Sequence, residues 1–168
     1  MDHPTPKLQH PTPPGMIEVS AGLIFRQGQL LITRRRTGDH LGGLWEFPGG
    51  KREPNESFED CLVRELREEL GVETRPGELL EDITHHYPDK SVRLRFYRCE
   101  LVRGEPRPIG CDAVQWVAAS QLSSFSFPAA DARLLVRLES DSRLWSDRLS
   151  GGRCGGMVPR PGLEPGTN

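Results

Sequence analysis

The run from Ser57 to Gly71 admits one local structure, and the rest of the chain has to be built around it. Ser57 is a strong N-cap residue, Asp60 stands three positions later as a capping-box-like acid, and Gly71 supplies a left-handed stop. Between them lie good helix formers ending in Arg-Glu-Leu-Arg-Glu-Glu-Leu. With Phe58 at zero and about 100° per residue, Leu62, Leu66, Leu70 and Val63 fall between about 40° and 140°, a stripe fit for a core. Glu65, Glu68 and Glu69 fall near about 340°, 280° and 20°, flush against that stripe and not opposite it. Like charges at these spacings repel. Two readings remain for the cluster: a solvated charged face aided by Arg64 and Arg67, or carboxylates neutralised by a hard cation. Mg²⁺ suits the second, since it takes oxygen ligands and is held by one or two carboxylates plus substrate phosphates.

Around this helix the pattern is mostly strand. Ile17, Val19, Ala21, Leu23 and Phe25 alternate with smaller or polar residues, Gln27-Gly28 reads as a turn, and Gln29 to Thr33 is β-rich, which together predict a hairpin. Arg34 to Glu53 reads as loop interrupted by Leu44 to Phe47. Leu79 to His86 and Ser91 to Leu101 read as strands joined by the turn Tyr87 to Lys90, and Val114 to Ala118 as another. Ser126, with Pro128 at the first helical position, starts a second helix over about Ala129 to Leu138. The expected organisation is a flexible Pro-rich arm over 1–15, a domain over 16–140 and a disordered Gly/Pro-rich tail over 141–168.

Composition narrows the function classes. A formal net charge of −2 implies no broad electropositive surface, so duplex nucleic acid is not the expected partner. No apolar run approaches a membrane span, and the five prolines of Met1 to Gly15 leave no apolar signal segment, so a cytoplasmic location is expected. Cys61, Cys99, Cys111 and Cys154 are scattered, which suggests neither zinc nor a disulfide framework.

From Gly50 the chain reads Gly, five residues, Glu56, seven residues, then Arg64-Glu65-Leu66-Arg67-Glu68-Glu69-Leu70-Gly71-Val72. This is the Nudix box, complete at every specified position, with a chance probability of order 10⁻⁹ at a given start. The chain resembles the Nudix hydrolases, and among them the MutT-type enzymes, from about Val19 to Leu138. Trp45 to Lys51 is similar to the MutT-type lead-in to the box, and Tyr87 to Lys90 and Phe127 to Asp131 have counterparts there. The resemblance implies an α/β (α+β) fold, an α/β/α sandwich with a mixed sheet between the box helix and a C-terminal helix. It implies Mg²⁺-dependent water attack on the β-phosphorus of a nucleoside triphosphate, releasing the monophosphate and pyrophosphate, with Mn²⁺ as a substitute metal. Glu68 and Glu69, with a backbone carbonyl of Gly49 or Gly50, would coordinate the metal, and Glu65 would orient or deprotonate water. Arg64 would brace Glu56. Arg35 would meet phosphates, while His40, Glu46, Phe47 and Pro48 would line the nucleotide pocket.

Two positions depart from the MutT-type pattern. An acid usually stands six residues before the Trp that is here Trp116, and this chain has Gly110 there. Asp112, before Glu105, is the candidate to supply the missing metal ligand; a plain turn residue is the other reading of Asp112. Where the best-known relatives read the base with an Asn, this chain has Asp131. An ionised carboxylate only accepts hydrogen bonds, so Asp131 would favour a base edge that offers N–H groups. Alternatively it is an acid placed in a helix's first turn by the dipole. The substrate is therefore open between 8-oxo-dGTP and a modified or pyrimidine nucleotide. Hydrolysis of another pyrophosphate, such as a dinucleoside polyphosphate or nucleotide sugar, is a second reading, and a lesion-binding module without catalysis a third. Monomer and homodimer are both compatible with the sequence.

Overall fold

The computed structural model describes residues 15–147. Of the expected arm only Gly15 falls in this range, and the tail beyond Asp147 lies outside the described residues. Strand β1 (Met16–Arg26) turns through Gln27 and Gly28, both at positive φ (52° and 73°), into β2 (Gln29–Arg34). Such a pair of left-handed residues matches the twist of a tight hairpin. Only the tip of that hairpin pairs, Phe25 with Leu30 and Arg26 with Gln29. Beyond it β1 and β2 part. β3 (Trp45–Glu46) takes the vacated edge of β2, and β4 (Gly49–Lys51) pairs with Val19, Ser20 and Ala21 of β1. The segment from Trp45 to Lys51 thus crosses the opening between the diverging strands, and the cleft forms there.

On its other side β1 runs parallel to β6 (Ser91–Arg103), which pairs antiparallel with β5 (Glu73–His86); β7 (Ala113–Ala118) pairs with β2. The result is a seven-stranded mixed sheet. Side-chain alternation sends Leu23, Leu30 and Ile32 to one face and Ile24 and Leu31 to the other. Helix α1 (Phe58–Leu70) covers the second face with Phe58, Leu62, Leu66 and Leu70, and helix α2 (Ala132–Ser140) covers the first with Leu134 and Leu138. The α/β/α sandwich expected from the resemblance is the fold observed.

Several local expectations need correction. β5 begins at Glu73, six residues before the expected start at Leu79, and carries register shifts around Pro76 and Leu79. It is an edge strand, where a proline that cannot donate to a ladder is tolerated. β4 falls where the sequence predicts loop, because Gly49-Gly50 carries no side-chain alternation. Pro128 is not the first helical residue: its ψ of 151° is extended, a 3₁₀ turn follows over Ala129–Asp131, and only then does α2 begin. Residues 141–147, assigned by sequence to the tail, pack on the domain instead. Trp145 is buried, meets Phe25 edge-on at 5.5 Å and donates its indole N–H to the Leu138 carbonyl at 2.8 Å. Arg98 reaches the Leu144 carbonyl at 2.8 Å, and Asp147 accepts from the Gln27 N–H at 3.0 Å. No helix among the described residues is long and apolar enough to cross a membrane.

Candidate active site

Helix α1 starts as its sequence dictates, with the Ser57 hydroxyl accepting from the Asp60 N–H at 3.0 Å, and ends with Gly71 at φ 70°. Its buried arc is displaced from the expected one. Cys61 is fully buried and its thiol faces the Gly50 carbonyl at 3.5 Å, whereas Val63 is only half-buried. Cys61 lies at about 300° on the helical wheel, so Glu65 and Glu69 fall inside the buried arc and not beside it. They face β4. A Cβ on Gly50 would overlap the Glu65 carboxyl, and a Cβ on Gly49 would overlap the Ser20 carbonyl oxygen. The glycine pair therefore does two jobs: Gly49 lets β4 lie against β1, and Gly50 leaves room for Glu65.

Arg64 locks this junction. It grips both Glu56 oxygens at 2.7 and 3.0 Å, reaches Glu65 at 2.8 Å and Glu68 at 3.4 Å, and donates to the Lys51 carbonyl at 3.2 Å. Its hydrogen bonds hold the Glu56 carboxyl below the usual carboxylate range. Burial pushes Glu65 upward against the opposing pull of Arg64. Glu69 moves further, to about 8, through burial and then the nearby charges of Glu46 and Glu65. Its Oε2 is buried with no hydrogen-bond partner among the described residues. Glu68 stands apart: its side chain is 60 % exposed and it does not line the cavity.

A cavity of about 410 Å³ opens beside these groups, within the usual size range for small-molecule sites. Glu65, Glu69, Gly49 and Gly50 are part of its wall. Arg35, His40, Glu46, Phe47 and Asp131 also line it, while Pro48 is buried behind, its carbonyl accepting from the Gly22 N–H at 2.8 Å. Arg35 is not a free cation, since Nη1 pairs with Glu46 at 2.7 Å and Nε donates to the His40 carbonyl at 2.8 Å. Phe47 stacks on Phe127 at 5.1 Å and meets Phe96 edge-on, so it is core and wall together. Asp131 is 4 % exposed, makes no side-chain cap to α2, and is raised to about 7 by burial and then by Glu46. No side-chain hydrogen bond holds it among the described residues, and it stands at the N-cap of α2, where the helix-dipole reading of this acid also places it.

Asp112 does not join the cluster. Its carboxylate accepts from the Thr37 N–H and hydroxyl at 3.1 and 3.2 Å, anchoring the loop after β2 and matching the turn reading of this residue. Glu105 is on the surface, paired with Arg26 at 2.9 Å. A Cβ at Gly110 would lie 2.9 Å from Glu69 Cγ and 3.0 Å from its Cα, so the position has no space for an acid while Glu69 stays where it is. Sequence reading passed over Arg36, Tyr87 and Lys90, which also line the cavity. For Tyr87 and Lys90 the available signal was the hairpin turn itself; for Arg36 it was only its place in an arginine run.

A family model described as the NUDIX domain matches residues 20–137. The chain belongs to the Nudix hydrolase family. Its Nudix relatives include the 8-oxo-dGTP diphosphatase of Escherichia coli K12, 32 % identical over 124 residues, which cover 73 % of this chain and 96 % of that one. The CTP pyrophosphohydrolase of the same organism is 36 % identical over 120 residues, covering 71 % and 89 %. Among solved structures, that of the E. coli ORF135 protein superposes with a TM-score of 0.64 at 33 % identity, covering 81 % of this chain and 95 % of that one.

Proposed function

We propose that this Nudix hydrolase cleaves a nucleoside triphosphate to the monophosphate and pyrophosphate with Mg²⁺, as a nucleotide-pool sanitation enzyme. The observation that carries the reading is the meeting of Glu65, Glu69 and the Gly49–Gly50 backbone in the wall of a nucleotide-sized cavity. Among the described residues no three His, Cys, Asp or Glu side chains form a ready cage for a metal. The donor set still fits Mg²⁺, because Glu69 has a buried oxygen without a partner among the described residues and sits in an excess of negative charge. A hard cation with part of its shell supplied by phosphate oxygens neutralises that arrangement.

Glu69 would hold the metal with a carbonyl of Gly49 or Gly50, and Glu68, exposed at the rim, would join from outside. When bound, Mg²⁺ supplies charge stabilisation and a template for the phosphates. Glu65 takes the proton of the attacking water. Its raised carboxyl is a better base near neutral pH than an exposed one. Arg64 holds Glu65 in line, and the Gly50 gap keeps its carboxyl at the wall.

Asp131 faces the base. A buried carboxyl without a protein partner needs one from a ligand, and a base edge with N–H groups provides it. The relatives named for 8-oxo-dGTP and for CTP both support a base that offers such an edge. The test is a panel with Mg²⁺ of dGTP, 8-oxo-dGTP, dCTP, CTP, a diadenosine polyphosphate and ADP-ribose, with products identified. Release of pyrophosphate from a triphosphate is expected. Cleavage confined to the diadenosine compound or ADP-ribose would replace this reading.

A further inference from the structure

Three consecutive arginines leave β2, and each is used differently. Arg34 lies over the Trp45 ring at 5.8 Å, and Arg35 is committed to Glu46 and the His40 carbonyl. Arg36 lines the cavity, donates from Nη2 to the Ile109 carbonyl at 2.7 Å, and pairs with no carboxylate among the described residues. Its Nη1 and Nε make no hydrogen bond there.

The carbonyl that Arg36 grips belongs to the residue before Gly110. The N–H groups of Ile109 and Gly110 both donate to the Glu69 carbonyl, at 3.0 and 2.9 Å, so Arg36, Gly110 and Glu69 share one corner. Arg36 is close enough to act on the Glu69 carboxyl. At this corner the resemblance leads one to expect a further acid. Gly110 provides none, and the Arg36 guanidinium stands at the neighbouring Ile109 carbonyl instead.

The cavity also has a direction. Asp131 lines it from just before α2, whereas Glu65 lines it against Gly50 and Glu69 lines it at the Gly110 corner that Arg36 shares. Asp131 and Phe47 make the base end, and Glu65, Glu69 and Arg36 make the phosphate end. We propose that Arg36 binds the outer two phosphates, the pair that water attack turns into pyrophosphate, at the corner where Gly110 leaves no room for a carboxylate. The assignment rests on the triphosphate reading above. A carboxylate at this corner would have to recruit another cation before it could hold phosphate. A guanidinium holds it directly with planar, charge-assisted hydrogen bonds. The bond to the Ile109 carbonyl fixes the plane and leaves Nη1 and Nε to donate.

The test is calorimetric titration of the full chain with inorganic pyrophosphate, a nucleoside monophosphate and a non-hydrolysable α,β-imido triphosphate, each in EDTA and in Mg²⁺. Wild type is compared with Arg36→Ala, Arg36→Gln and Arg107→Ala, the last an exposed cation outside the cavity. Arg36→Gln keeps a donor for the Ile109 carbonyl, so its loop stays supported. Both Arg36 variants are expected to bind pyrophosphate and the analogue about tenfold or more weakly. Monophosphate affinity, melting temperature and every property of Arg107→Ala should stay unchanged. Unchanged pyrophosphate affinity in the Arg36 variants would overturn the assignment, as would an equal loss for monophosphate and triphosphate. Should wild type cleave no triphosphate, the reaction assigned above fails, and the pyrophosphate titration still decides Arg36.

Discussion

Glu69 and Asp131 are acids set in places that disfavour their charge: among the described residues, one has a buried oxygen lacking a partner and the other has no hydrogen bond to its carboxyl. Neither condition is readable from residue spacing. The helical wheel put Glu69 next to the apolar stripe, and only the burial of Cys61 against the Gly50 carbonyl moved the arc so that it enclosed Glu65 and Glu69. Asp131 carries a testable pH dependence. With its carboxyl raised to about 7, it is neutral below that pH and both donates and accepts, as an amide does; above it, the carboxylate only accepts. The ranking of base preference should therefore change across about pH 7 in wild type and stay flat in Asp131→Asn, measured as kcat/KM over the nucleotide panel. A ranking independent of pH in wild type would take base reading away from Asp131.

At the scale of elements, the box helix was legible because everything that makes it is local: a serine cap, a left-handed glycine stop and a stripe of leucines. β4 was not legible, since it exists only because β1 and β2 diverge and leave the β1 edge to be paired. The two glycines of β4 should separate by substitution. In Gly49→Ala the new methyl meets Ser20 and Ala21 backbone, which cannot yield without breaking the β1–β4 pairing. A loss of about 1–3 kcal/mol in urea unfolding is expected, as for other overpacked sites. In Gly50→Ala the atoms nearest the methyl are those of the Glu65 carboxyl, a flexible end. Stability should hold while kcat falls by two orders of magnitude or so, the scale of losing a positioned base. Equal stability losses in the two variants would show that Gly50 is not reserved for Glu65.

Over the whole molecule, the raised acids link folding to protons and to metal. The Glu69 carboxyl moves from an ordinary 4.5 to about 8 and that of Asp131 from 3.8 to about 7, so the folded chain binds more protons than the unfolded one between those limits. Their contribution to stability is present below about pH 4 and is lost as pH rises through about 7 to 8. In EDTA the melting temperature should fall across that window, and Mg²⁺ should offset the fall increasingly as Glu69 ionises. A Mg²⁺ effect that does not grow with pH would contradict this. The closing segment 141–147 is also a whole-molecule feature, because a lone tryptophan in an aperiodic stretch shows its role only once β1 and α2 form its pocket. Trp145→Ala should cost about 3–5 kcal/mol in the same unfolding assay; a loss under about 1 kcal/mol would make the segment's packing incidental.

The bond that breaks is the most direct point of contact between this account and experiment. In H₂¹⁸O with Mg²⁺ and the preferred triphosphate, a water activated by Glu65 and directed at the β-phosphorus puts the label into pyrophosphate and none into the monophosphate. Glu65→Gln should abolish turnover while its melting temperature stays at the wild-type value. Label in the monophosphate, release of orthophosphate, or near-normal turnover by Glu65→Gln would contradict the assignment of this site.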